Sequence, residues 1–172
     1  MIRHLPTIAL TAALLGLCSC AGYHLGGIKP ASLAGVKTIA VPMFSNATQH
    51  PRANAIATSA VTNAIVQEGT YRIGTADQAD AVLVGEISEI KYRAIRGTRF
   101  DSLYPEELSN RVTLKWSLTD ARDPTKVLAI GISRGESQLF VSSNLQTARN
   151  NALPEALERA SEALVSMLAN GY

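Results

Sequence analysis

Residues 111–119 constrain this chain more than any other segment. Val112, Leu114, Trp116 and Leu118 alternate with Arg111, Thr113, Lys115 and Ser117. A period of two places the first set on one side of a β-strand and the second on the other. The sheet that holds this strand therefore has one covered face and one more polar face, which is an antiparallel habit. A turn over residues 121–125 (Ala-Arg-Asp-Pro-Thr) leads into a further strand at 127–140, and so short a connection predicts a hairpin. Upstream, residues 36–44 and 81–92 also read as strands. Pro42 marks an edge or an end of the first, and the phase change between Ile87 and Ile90 hints at a bulge in the second.

Two segments carry helical spacing. Ala53, Ile56, Ala57, Ala60, Val61, Ala64 and Ile65 form one stripe, with Pro51 suited to the first helical position and Gly69 to the C-cap. Leu145, Ala148, Ala152, Ala156, Leu157, Ala160, Leu164 and Leu168 form a second stripe. Ser143 and Gln146 have capping-box spacing ahead of it, and Pro154 inside it predicts a kink. The expected fold is α+β, in the order β-α-β-β-β-α, with two helices on one face of a four-stranded mixed sheet. Aromatic residues are only 5% of the chain, so its core is built from Ala, Val, Ile and Leu.

The N-terminus is a different kind of sequence. Arg3 and His4 precede an apolar run over residues 8–17. About ten apolar residues fall short of the roughly 20 needed to span a bilayer. Positive start, short apolar run and small residues at its end describe a secretory signal peptide over residues 1–19. It ends Leu17-Cys18-Ser19-Cys20, a lipobox-like pattern with Leu at −3 and Ser at −1 of Cys20. On this reading Cys20 is the acylated first residue, and its lipid is the only attached group expected, with no other cofactor. The alternative is an ordinary signal peptide with two incidental cysteines. Ala21 rather than Asp after the cysteine points to the outer membrane. Several acyl chains anchor stably where one is marginal. Residues 20–35, with four glycines and Pro30, read as a tether, and residues 36–172 as a single domain.

No motif for chemistry stands out. The sequence has no His-Glu-x-x-His, no paired-cysteine zinc pattern, no calcium loop and no Gly-x-Ser-x-Gly elbow. No catalytic or metal-binding residue is assigned. A net charge of +2 is too small for a nucleic-acid binder. One local feature rises above background: Lys91, Arg93, Arg96 and Arg99 fall within ten residues free of acids, with Tyr92 and Phe100 interleaved. They leave the second strand and enter a long connection. Arginine forks suit phosphates and carboxylates, and in a bacterial envelope the obvious polyanion is lipopolysaccharide. The plainer reading is a solvated basic edge that discourages strand pairing. Arg111 and Lys115 either extend this surface or are ordinary exposed residues.

Several stretches resemble one family in order and spacing. Cys20-Ala21-Gly22-Tyr23-His24-Leu25 is similar to the start of the LptE lipopolysaccharide-assembly lipoproteins, with Ala21 as an extra residue. The stretches at residues 38–46, 69–73 and 79–87 resemble its first strand, its Gly-x-Tyr-Arg and its Ala-Asp-Ala-x-Leu-x-Gly-x-Ile. The resemblance implies two helices on a four-stranded sheet and a non-enzymatic partner of the outer-membrane β-barrel LptD. Such a protein plugs the barrel, helps it assemble and helps deliver lipopolysaccharide to the outer leaflet from the periplasmic side. A plug needs a polar exterior, since a barrel lumen is polar. The family's basic contacts fall by position on Arg96 and Arg99, and less closely on Lys91 and Arg93. The rival expectation is another small periplasmic lipoprotein, of the curli-secretion or peptidoglycan-synthase-activator type.

Overall fold

The computed structural model describes residues 29–97, 105–140 and 144–171. The element order is β1 (Thr38–Ala40), β2 (Ser45–Asn46), α1 (Ala53–Glu68), β3 (Arg72–Ile73), β4 (Ala81–Gly97), β5 (Pro105–Asp120), β6 (Val127–Phe140) and α2 (Leu145–Asn170). The fold is α+β, with a mixed sheet and two helices, as the patterning predicts. The sheet has six strands rather than four, in the order β3-β1-β4-β5-β6 with β2 also on β4. β1 lies within the expected first strand, residues 36–44, and β2 falls just past its end, in residues expected to form a turn; both run parallel to β4. Pro42 lies between them and has no N–H to give a ladder. β3 has only two residues, both exposed and parallel to β1, too short to leave a period in the sequence.

β4 and β5 pair over nearly their whole lengths, from Ala81 opposite Asp120 to Gly97 opposite Pro105. Residues 93–97 therefore continue the strand instead of beginning a long connection. Ladder hydrogen bonds are made by backbone, so a polar stretch can extend a hairpin without an apolar period. Register shifts occur between Ile87 and Glu89 and again past Ala94, the first where Ile87 and Ile90 fall out of phase.

The core lies between the sheet and the helices. It joins Phe44, Leu83, Ile87, Leu114, Trp116 and Leu118 to Val61 and Ile65 of α1 and to Leu153, Leu157, Leu164 and Leu168 of α2. A short 3-10 helix at Ala31–Leu33 adds Leu33, which is buried. Gly85, Trp116 and Gly131 form one cross-strand row. A Cβ on Gly85 would meet the Phe44 ring, and one on Gly131 the Trp116 ring, so the two bulky aromatics lie over glycine backbone.

α1 begins at Ala53, two residues past Pro51, after Arg52 in the left-handed region at φ 62. It ends on Gly69 at φ 81, whose N–H reaches the Ile65 carbonyl. α2 is capped by Asn144, which accepts from the Thr147 N–H at 3.0 Å. The expected capping box is replaced at the described residues: Gln146 donates to Asn150, one turn along, and Ser143 lies outside them. α2 continues through Pro154 to Asn170. At the sheet's far end Asp80 accepts from the backbone N–H groups of Lys37 and Thr38, at 2.9 and 3.0 Å.

Candidate functional site, the open face of the sheet

Both helices cover one side of the sheet and leave the other to solvent. Alternation assigns the exposed side chains. After the shift at Ile87, β4 presents Glu89, Lys91 and Arg93 outward, while Ile90 and Tyr92 turn toward the helices. β5 presents Arg111, Lys115 and Ser117, with Thr113 on the same side but buried, and β6 presents Ile130, Ile132, Arg134, Glu136 and Gln138. One surface thus carries Lys91, Arg93, Arg111, Lys115 and Arg134.

Acids share it. Lys91 pairs with Glu89, and Arg111 pairs with Glu136, its direct cross-strand partner. Lys91 and Arg111 also stand opposite each other, a like-charge pair that these acids offset. Each of the paired side chains is 43–67% exposed, so the pairs are worth little in stability and can be exchanged for another anion. Arg93 lies opposite Ser109 and makes no ion pair with a described residue.

Toward the other end the face becomes apolar. A shallow groove of about 610 Å³ is lined by Val84, Ile130 and Ile132, with Glu86 and Lys115 at its side. Val84 and Ile130 are 50% and 78% exposed. Bases beside exposed aliphatics make an amphipathic surface, suited to a ligand with anionic and greasy parts.

The sequence expectations meet this surface only in part. Lys91 and Arg93 are on it. Arg96 is placed by backbone alone, opposite Glu107 in β4–β5. Arg99 and Cys20 lie outside the described residues. The acids Glu89 and Glu136, the base Arg134 and the aliphatic wall were missed. The alternation of Ile130, Ile132, Arg134 and Glu136 was their available signal. Among the described residues no group of three or more His, Cys, Asp or Glu could hold a metal. No described helix is long and apolar enough to cross a membrane.

The model of the lipopolysaccharide-assembly family LptE matches residues 36–168, from just before β1 almost to the end of α2. The chain belongs to the LptE family. No curated protein matches the sequence. Solved structures with a similar fold include CT253, a hypothetical protein from Chlamydia trachomatis. It is 12% identical with a TM-score of 0.54, over 76% of this chain and 94% of that one. XCC0632 from Xanthomonas campestris is 16% identical with a TM-score of 0.53, over 83% and 89%. A minor lipoprotein from Acinetobacter baumannii is 8% identical with a TM-score of 0.52, over 77% and 91%. At such identities these likenesses establish the fold alone. LptE membership gives the broad role, a lipopolysaccharide-assembly lipoprotein of the bacterial envelope. That family is non-enzymatic.

Proposed function

We propose that this LptE-family chain loses residues 1–19, is acylated at Cys20 and sits on the periplasmic side of the outer membrane as the plug of an LptD-type β-barrel. There it assists barrel assembly and helps pass lipopolysaccharide to the outer leaflet. The observation that carries the reading is the family match over residues 36–168, which spans every strand, all of α1 and nearly all of α2.

The open sheet face supports a direct contact with the glycolipid. Phosphates and sugar acids would exchange with Glu89 and Glu136 for Lys91 and Arg111, and would meet Arg93. Arg96 and Arg99 are the further glycolipid contacts that the family resemblance implies. The groove at Val84, Ile130 and Ile132 would take acyl chain. The polar remainder of the surface suits a barrel lumen.

The test is a detergent pull-down of the full-length protein from its native host, with partners and the N-terminus identified by mass. An LptD-type barrel and an acylated Cys20 are expected. Recovery of a peptidoglycan synthase or a ring of this chain, without the barrel, would overturn the reading in favour of its rivals.

A further inference from the structure

On the helix side of β4, away from the open face, a cavity of about 300 Å³ lies between the β2–α1 turn, β4 and the start of α2. Three of its side chains hold polar atoms that are shielded from solvent and have no partner among the described residues: His50 Nε2, Tyr92 Oη and Arg149 Nε. Such a group costs about as much as a lost hydrogen bond, and three in one place need an explanation. We propose that this cavity is a binding site for a carboxylate, supplied by an acidic side chain of a protein partner or by a small free acid.

Each group is held in place for the task. The β2–α1 turn is knit by Asn46, whose Oδ1 accepts from the Thr48 N–H at 2.9 Å and whose Nδ2 donates to the His50 carbonyl at 2.9 Å. The His50 N–H donates to Thr48 Oγ1 at 3.3 Å. His50 Nδ1 lies 3.4 Å from the Pro51 carbonyl, which leaves Nε2 for the cavity. Tyr92 packs against the small cluster of Leu108, Leu139 and Ala152. Arg149 lies over that ring at 4.7 Å from its centroid. A guanidinium stacked this way offers its N–H edge to a planar two-oxygen group. Burial raises the Tyr92 pKa above its ordinary value, an effect only partly opposed by Arg149, so its hydroxyl remains a donor.

The ligand class follows from the lining. Gln49, Tyr92, Gln146 and Arg149 supply donors, the Thr48 hydroxyl is already given to Asn46 Oδ1, and no acid is among the lining residues. Arg149 is the single permanent cation, which matches one negative charge better than the roughly −1.5 to −2 of a phosphate monoester. The site is independent of the basic strip on the opposite face of the sheet.

The experiment uses the full-length acylated protein in detergent and follows the ring-proton NMR signals of His50 and Tyr92. Three probes are titrated to about 10 mM, within the weak range a single charged contact reaches: N-acetylglutamate amide, acetate and inorganic phosphate. Both carboxylates should shift these signals. Affinity should fall about tenfold or more in Arg149→Gln and by a smaller factor in Tyr92→Phe, which keeps the ring and its packing. Arg122→Gln, in the exposed β5–β6 turn, should leave binding unchanged. The blocked glutamate binding more tightly than acetate assigns the site to a polypeptide side chain; equal binding assigns it to a free acid. No carboxylate binding, tighter binding of phosphate at these residues, or full binding by both Arg149→Gln and Tyr92→Phe would overturn the proposal.

Discussion

Gly135 faces Val112 on the covered side of the sheet, under the middle of α2. A Cβ there would lie less than 3.0 Å from both the Ala156 carbonyl oxygen and the Ala160 nitrogen. Those are backbone atoms of a regular helix, so no rotamer change relieves the clash. α2 would have to retreat by about 1 Å, a gap that forfeits a quarter to a half of each contact it loosens. The contacts at risk are those of Leu153, Ala156, Leu157 and Ala160, all buried. Overpacking of this kind costs about 1–3 kcal/mol and occasionally more. The stiffer unfolded chain returns about 0.4–1 kcal/mol. Because the clash is with backbone, the upper end of that cost applies, and the net expectation for Gly135→Ala is a loss of about 2 kcal/mol, or a Tm lower by about 4–8 °C for a body of this size. Gly35→Ala is the matched control. Its Cβ would meet nothing within 4 Å, so only the unfolded-state gain remains and the Tm should hold or rise. Thermal melts by circular dichroism and urea titration read both variants. A Gly135→Ala protein as stable as wild type would refute the claim that helix-to-strand approach dictates the glycine.

The Tyr71 hydroxyl donates to the Leu168 carbonyl at 2.7 Å in the core, and Tyr71→Phe should cost about 1–2 kcal/mol by urea titration. Burial first, then Glu68, raises the Tyr71 pKa from 10.0 to about 12, so its neutral form stabilises the fold fully below pH 10.0 and loses that contribution as pH rises through about 12. Alkaline unfolding followed by tyrosinate absorbance should lose that component in Tyr71→Phe. Asp80 behaves with the opposite sign: the Lys37 and Thr38 N–H groups hold its pKa below 3.8, so its contribution is present above pH 3.8 and fades as pH falls through the lowered value. Asp80→Asn should flatten the acid limb of a stability–pH curve, and an unchanged limb would contradict the role of these bonds. Replacing Lys91 and Arg93 together with Gln should weaken lipopolysaccharide binding by about tenfold or more with little change in Tm, since both side chains are exposed. Unchanged binding in a pull-down with immobilised glycolipid would remove the open face from the transport reading.

Much of this protein was legible from periodicity. The alternation of Val112, Leu114, Trp116 and Leu118 named the covered face of β5, and the three-and-four spacing of Leu157, Leu164 and Leu168 with their alanines named the core side of α2, though not Leu153 beside them. Both are consequences of a fixed residue geometry, and they needed no knowledge of what lies opposite. Gly69 and Gly171 as helix caps follow likewise from local backbone preference.

Pairing and proximity belong to the tertiary structure. The extension of β4 and β5 beyond their apolar cores rests on backbone hydrogen bonds that side chains do not encode. The shift after Ile87 decided that Lys91 and Arg93 face solvent beside Glu89, and the β5–β6 register brought Glu136 onto Arg111. Arg93 and Tyr92 are neighbours in sequence but lie on opposite sides of the sheet, one on the basic strip and one beside Arg149. His50, Tyr92 and Arg149 come from three separate elements, so no spacing in the sequence announces their cavity. Local rules fix which way a residue points, whereas only the packed chain fixes what it points at.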